Sequence, residues 1–228
     1  MQCQWYFYLS DFIEKLFPMD ISAIRKDYSI KSLDISDVNT NPIAQFEFWF
    51  GEAVNAKVLE VNAMTVSTLG LDGTPNARIL LLKGVDTGFV FFTNYKSEKG
   101  RELEMHNSAS LTFFWPELER QVRVRGKVEK VTAEESDTYF FSRPLGSQIG
   151  AWVSPQSQAI TSRETINARQ AEIENQFTGI PLTRPEHWGG YRLTPSSIEF
   201  WQGRPSRLHD RIKYELKDGE WSIERLAP

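Results

Sequence analysis

The chain has 228 residues, a net charge of -4 and a pI near 5.5, so no overall basic field exists to hold nucleic acid, and any anion site must be local. Hydrophobic residues at 40% and charged residues at 25% sit near the globular average, which excludes disordered, collagen-like and coiled-coil classes. Cys3 is the single cysteine, so neither an internal disulfide nor a cysteine-based zinc site can form, and a reducing cytoplasm is the expected compartment.

The first apolar stretch, Trp5 to Leu9, is too short to span a bilayer and has no basic region before it, so no membrane segment or signal peptide is expected. Met19 opens a more ordinary amino terminus. Residues 1–18 therefore read as an extension or a poorly ordered segment, and 19–228 as a single domain. Asp20 to Tyr28 reads as one or two helical turns. A better-marked helix follows, capped by Asn41 with Pro42 in its first turn, its apolar face built from Ile43, Phe46, Phe50, Ala53 and Val54.

From Ala63 the pattern changes to short β-rich runs. Met64 to Leu69, the turn Asp72-Gly73 and Ala77 to Lys83 predict a hairpin, and Phe89 to Thr93 another strand. Ser97 is an N-cap for a helix running to His106. Leu111 to Trp115 and Gln121 to Val131 predict a second hairpin with Val122, Val124 and Val128 on one face and Arg123 and Arg125 on the other. Thr132 with Glu135, and Thr161 with Glu164, form capping-box patterns for helices reaching Phe141 and about Phe177, with Arg143 to Ser157 read as irregular between them. The tail predicts strands at Tyr191–Thr194, Ile198–Gln202, Arg211–Leu216 and Trp221–Leu226, the last two joined at Asp218-Gly219. Closely spaced strands without regular strand–helix alternation favour a mainly β, α+β antiparallel barrel over a doubly wound sheet. Dinucleotide, P-loop and nucleophile-elbow motifs are missing, and His106, His187 and His209 lack metal-site spacing, so no catalytic metal is expected.

Three groups carry candidate chemistry. Arg78 and Lys83 bracket an apolar strand, and Lys99 sits on the first turn of the helix after Ser97, where a phosphate is naturally held; strand ends reaching water are the plain alternative. Tyr139, Arg143 and Ser147 recur four apart and can hold a second phosphate, or else Arg143 merely complements a helix C-terminus. Phe200-Trp201-Gln202-Gly203 followed by Arg207-Leu208-His209-Asp210-Arg211 gathers flat rings and guanidinium groups able to sandwich a flat ligand, although Trp201 in the core and an Arg207–Asp210 surface pair explain it equally.

From about Ile24 to the carboxyl end the chain resembles the pyridoxamine 5′-phosphate oxidase family. The specific blocks are R-I-L-L-L-K at Arg78–Lys83, L-E-R-Q-V at Leu118–Val122, S-R-P at Ser142–Pro144, S-Q-I-G-A-W-V-S at Ser147–Ser154, F-W-Q-G, R-L-H-D-R, and the closing I-E-R-L-A-P. The resemblance implies a flavin mononucleotide (FMN)-binding split β-barrel, working as a homodimer with FMN at the subunit interface and O2 as electron acceptor. It implies FMN contacts from Arg78, Ile79, Leu80, Leu81, Leu82, Lys83, Phe92, Thr93, Lys99, Gln121, Gln156, Ser157, Trp201 and Arg211, with Arg78 and Lys99 on its phosphate. The substrate, pyridoxamine or pyridoxine 5′-phosphate, would have its phosphate held by Lys83, Tyr139, Arg143 and Ser147. Arg207 and His209, the catalytic pair, would lie with Leu208 over its ring, and Arg25, Lys26, Asp27 and Tyr28 would form a mobile flap. Glu98 departs from the family, where the residue before Lys99 is often basic; either it points to solvent and helps the helix N-terminus, the favoured reading, or FMN affinity is reduced. The rival expectations are a non-catalytic flavin- or haem-binding split barrel and, more distantly, a nucleic-acid-binding barrel.

Overall fold

The computed structural model describes residues 26–228. The expectations for residues 1–18, for Met19 and for Arg25 lie outside the described residues. Lys26, Asp27 and Tyr28 are not helical, so the short helix expected up to Tyr28 does not extend to its end.

Helix α1 (Pro42–Asn55) begins as the sequence requires: the Asn41 side chain accepts hydrogen bonds from the backbone N–H groups of Ile43 and Ala44, and Pro42, which has no N–H to leave unpaired, takes the first turn. Its buried face is Pro42, Gln45, Phe46, Trp49 and Ala53. Val54, expected inward, is half exposed, because the stripe that meets the sheet passes through Trp49 instead. Phe46 and Trp49 pack among Phe89, Phe113, Trp115 and Phe200, burying large rings that each contribute roughly 1.5–3 kcal/mol or more.

The sheet comprises β1 (Ala63–Leu69), β2 (Pro75–Leu81), β3 (Gly84–Val85), β4 (Phe89–Asn94), β5 (Ser108–Trp115), β6 (Arg120–Lys130), β7 (Trp188–Gln202), β8 (Asp210–Lys217) and β9 (Glu220–Leu226). Neighbours run β2-β1-β5-β6-β7-β4-β3, with β8 and β9 branching from β7, and every pairing is antiparallel. The result is a mainly β, curled half-barrel with helices on its flanks, as expected. Strand β7 reads as two strands in the sequence but is one. Its first half pairs with β4 and its second with β8, while β6 pairs with it from Tyr191 to Gln202, with a register shift between Arg125 and Gly126. Gly126 is needed there, since a Cβ would lie 2.0 Å from the Thr194 carbonyl oxygen.

Helix α2 (Glu98–Met105) is capped by the Ser97 hydroxyl, and α3 (Ala133–Ser142) by the reciprocal Thr132–Glu135 box, both as expected. Two expectations fail. The stretch read as irregular contains helix α4 (Leu145–Val153), and α5 (Arg163–Gln176) has Ser162 at its N-cap with no side-chain bond. Thr161 does not cap α5; its hydroxyl pairs with that of Thr165.

Candidate active site

A cleft of about 450 Å³ opens where the ends of β2 and β4 meet α3 and α4. Lining it are Ile79, Leu80, Leu81 and Lys83 from the β2 edge, Phe92 and Thr93 from β4, and Tyr139, Arg143, Ser147 and Gln156 from the helical side. Ten of the residues singled out in the sequence thus converge in one place. Tyr139, Arg143 and Ser147 do so across a helix junction rather than along one helix face: Arg143 is the C-cap of α3 and Ser147 lies in the first turn of α4. Pro144 gives α4 no side-chain cap; the Ser147 N–H donates to the Pro144 carbonyl oxygen at 2.8 Å, so among the first-turn N–H groups those of Leu145 and Gly146 are the ones left for an anion.

Two features of this cleft select for anions. Among the described residues no aspartate or glutamate lines it, although the protein as a whole is acidic. Arg143 lies over the Trp188 ring at 4.5 Å, and its Nη1 is buried without a hydrogen-bond partner among the described residues. Burial holds this guanidinium below its ordinary pKa. A buried unpartnered donor is costly unless a ligand fills its valence. Phe92, Tyr139 and Trp188 form a near-parallel aromatic wall, with Phe92 and Tyr139 stacked at 4.0 Å. Trp188 and Asn94 also border the cleft and were not singled out in the sequence. For Trp188 the available signal was its place at the start of a strand beside Gly189-Gly190.

Lys99 stands behind the cleft floor. Only 6% exposed, its Nζ donates to Thr93 Oγ1 at 3.1 Å, Ser97 Oγ at 3.2 Å and Gln156 Oε1 at 2.9 Å. Burial, reinforced by the nearby Arg78 charge and opposed by Glu102 and Glu98, lowers its pKa to about 8. Glu98 is exposed in the first turn of α2, where its charge complements the helix N-terminus. Arg78 donates to Glu102 Oε2 at 3.0 Å and to Thr68 Oγ1. Burial works to raise Glu102, but bonds from Thr68 and Asn76 and the Arg78 charge outweigh it and hold the carboxyl below its usual range. Arg78 is therefore tied to Glu102, a carboxylate outside the residues singled out from the sequence.

The remaining expected residues lie elsewhere. Leu82 turns its side chain into the core, leaving only its backbone near the β2 edge. Ser157 is exposed, with a left-handed φ of 68°, and does not line the cleft. Gln121, Trp201 and Arg211 are cross-strand neighbours on β6, β7 and β8, on the face opposite buried Val122 and Phe200. Arg211 is paired with Glu199 at 2.9 Å, which raises its pKa.

Beside them a second cleft of about 520 Å³ is lined by Lys26, Asp27, Tyr28, Arg204, Ser206, Arg207 and His209. The Trp201 and His209 rings lie 4.6 Å apart, tilted by 46°, so Trp201 is not simply a core residue. Arg207 does not pair with Asp210, whose carboxylate instead takes Arg225 at 3.0 Å and Arg204 at 3.5 Å. Arg207 is exposed on a strained loop, with left-handed φ at Ser206 (57°) and Arg207 (63°). His209 accepts the Arg204 backbone N–H on Nδ1 at 3.1 Å, leaving Nε2 to carry the ring proton. Burial and the Arg207 charge keep its pKa below the ordinary histidine value. Leu208 is exposed and outside this cleft. Within one chain, then, Arg143 and Arg207 line separate clefts.

Among the described residues, no cluster of His, Cys, Asp and Glu could hold a metal ion, and no helix is long and apolar enough to cross a membrane.

Comparison with known proteins supplies the lineage. A family model described as pyridoxamine 5′-phosphate oxidase matches residues 50–177, and one described as the pyridoxine 5′-phosphate oxidase C-terminal dimerisation region matches 188–228. The pyridoxine/pyridoxamine 5′-phosphate oxidase of Paraburkholderia phytofirmans is 58% identical over 211 residues, covering 91% of this chain and 99% of its own. That of Cyanothece sp. is 54% identical over 211 residues, covering 92% and 99%. The crystal structure of PhzG from Burkholderia lata 383, in complex with tetrahydrophenazine-1-carboxylic acid, superposes with a TM-score of 0.82 at 30% identity, covering 89% of this chain and 100% of that one. An FMN-binding, pyridoxamine 5′-phosphate oxidase-related protein from Nostoc punctiforme shares the fold, with a TM-score of 0.65 at 16% identity over 80% of this chain and 97% of that one.

Proposed function

The chain belongs to the pyridoxamine 5′-phosphate oxidase family, and on that premise we propose that it is an FMN-dependent oxidase converting pyridoxamine or pyridoxine 5′-phosphate to pyridoxal 5′-phosphate. Electrons pass to O2, giving hydrogen peroxide, and the amine substrate also releases ammonia after taking up water. The observation that carries this reading is the carboxylate-free cleft with its unpartnered Arg143 Nη1. Such a pocket fits a phosphate ester, and the PhzG ligand, a carboxylic acid by its name, has no phosphate to fill it.

The residues present also fit FMN. Lys99, with no carboxylate partner among the described residues, and Arg78 stand beside the N-terminus of α2, a cationic cradle for a phosphate. The exposed edge of Ile79–Leu81 offers a surface along which a flat ring system can lie. When bound, FMN supplies the hydride acceptor and the route of both electrons to O2. The chain's own task is positional: Lys83, Tyr139, Arg143 and Ser147 hold the substrate phosphate, and the aromatic wall of Phe92, Tyr139 and Trp188 excludes water beside it. Arg207 and His209 orient the substrate ring, with the Nε2 proton of His209 available to a substrate oxygen, and Arg211 faces the cofactor as a fixed positive charge.

Because Arg207 and His209 sit in a different cleft from Arg143, one chain does not complete this constellation. A homodimer does. The sheet face carrying Gln121, Trp201 and Arg211 also carries Phe114 and Ile79, 54% and 63% exposed, and the match to a dimerisation region covers β7 to β9. Strands from both matched regions share one continuous sheet, which supports 19–228 as a single catalytic domain. The disulfide-free chain fits a cytoplasmic enzyme of vitamin B6 metabolism.

The test is aerobic turnover of pyridoxamine 5′-phosphate, with pyridoxal 5′-phosphate, peroxide and ammonia each quantified. Equal yields of all three are expected. A purified, FMN-loaded protein that forms none of them overturns the proposal.

A further inference from the structure

Glu119 occupies a position whose backbone asks for another residue. It closes the tight turn between β5 and β6 with φ at 54°, the left-handed region where glycine or asparagine is ordinary. It is also 2% exposed, and among the described residues no lysine or arginine pairs with it. A carboxylate buried without a cation has to be satisfied by donors, and here they come from far along the chain. Oε2 accepts the backbone N–H of Ser29 at 2.8 Å and that of Ile30 at 3.0 Å.

The same residue holds the other wall of the second cleft. Its carbonyl oxygen accepts the Gly203 N–H at 2.8 Å. Tyr28, one residue before the gripped amides, lies against Gly203 so closely that a Cβ there would be 2.7 Å from the tyrosine. The Tyr28 ring meets Trp201 edge-on at 5.7 Å and His209 at 5.9 Å. Further along, Asp210 Oδ2 accepts the Leu33 N–H at 3.0 Å, so residues 29–33 are tethered at both ends.

We infer that Glu119 is a positioning residue: its carboxylate latches the amino-terminal segment so that Tyr28 closes over Trp201 and His209. A glycine would satisfy the turn but could not hold the segment. What the closed cleft serves rests on the oxidase reading above; the latch itself does not. Glu119 touches neither substrate nor cofactor and acts through Tyr28.

The test uses the FMN-loaded, full-length protein with Glu119→Ala, Glu119→Gln, Tyr28→Ala and the double variant Tyr28→Ala/Glu119→Ala. In Glu119→Ala, KM for pyridoxamine 5′-phosphate is expected to rise on the order of tenfold, the scale of a lost charge-assisted hydrogen bond. FMN content and kcat should stay within about twofold. Glutamine keeps an oxygen acceptor for both amides and should restore KM to within about threefold of the parent. Amide exchange at Ser29 and Ile30 should accelerate in the alanine variant and not in the glutamine one, and Tyr28→Ala should add little to Glu119→Ala. Unchanged exchange at Ser29 and Ile30, or fully additive effects of the two alanine substitutions, overturns the latch. So does a Glu119→Ala protein that loses FMN and thermal stability with KM unaltered. If the parent protein does not turn over the substrate, the oxidase reading fails, and the exchange measurement alone still decides the latch.

Discussion

Replacing Arg143 with alanine removes the guanidinium whose Nη1 is buried and unpartnered in the main cleft. The Nη1 N–H groups have left water without gaining an acceptor among the described residues, so an arriving phosphate gains charge-assisted bonds without first breaking an ion pair. A hydrogen bond to a charged group contributes about 1.5–3 kcal/mol. That converts to a rise in KM of roughly 10- to 150-fold for the phosphorylated substrate. The lost cation–π contact with Trp188 costs only about 0.5–1 kcal/mol of stability, so the variant should fold. Peroxide release at varied pyridoxamine 5′-phosphate gives KM, and flavin absorbance gives bound FMN. Expected is the KM increase with FMN content unchanged. An unchanged KM, or FMN loss in proportion to the KM effect, refutes the assignment of Arg143 to the substrate phosphate.

Three further outcomes follow from the geometry. Lys99, lowered to about 8, is charged below that pH. Between about pH 8 and its ordinary 10.5 the unfolded chain holds a proton that the folded apoprotein lacks, so apoprotein stability rises with pH there, while affinity for the FMN phosphate falls. Fluorescence titration with FMN should show constant affinity from pH 7 to about 8 and a decline above, by at most about tenfold per pH unit; a flat profile to pH 10 contradicts the role. Lys83→Ala should raise the substrate KM by about tenfold, less than Arg143→Ala because Lys83 is exposed, and steady-state kinetics that leave KM unchanged remove it from the phosphate site. Arg207→Ala should slow turnover much more than it weakens FMN retention, and equal losses of both would place it on the cofactor instead.

Much of the frame was legible because local chemistry declares itself. Asn41 and Ser97 are caps with donors to satisfy, Thr132 and Glu135 reciprocate, and alternating Val122, Val124 and Val128 admit one strand parity. Helix α4 was not legible, since it starts at Pro144 with no polar cap and carries Gly146 and Gly150, both marks of a loop. Strand β7 looked broken because Pro195-Ser196-Ser197 resembles a turn; the register shift opposite Arg125 and Gly126 absorbs it without ending the strand. Thr161 mimicked a cap that tertiary packing did not use. For the site, the blocks resembling the family located the cleft residues, but spacing alone left Arg143 indistinguishable from an ordinary helix-end arginine. What separates the two is a missing partner, visible only in three dimensions. Glu102 and Glu119 stayed hidden for the same reason: a glutamate's significance lies in which distant donors it meets.

The most direct test is anaerobic mixing of the FMN-loaded protein with pyridoxamine 5′-phosphate and, separately, with unphosphorylated pyridoxamine, following flavin absorbance before and after air is admitted. The phosphorylated amine should bleach the flavin and air should restore it, while pyridoxamine at the same concentration leaves the colour intact. Equal bleaching by both amines, or by neither, would contradict a cleft built around the substrate's phosphate.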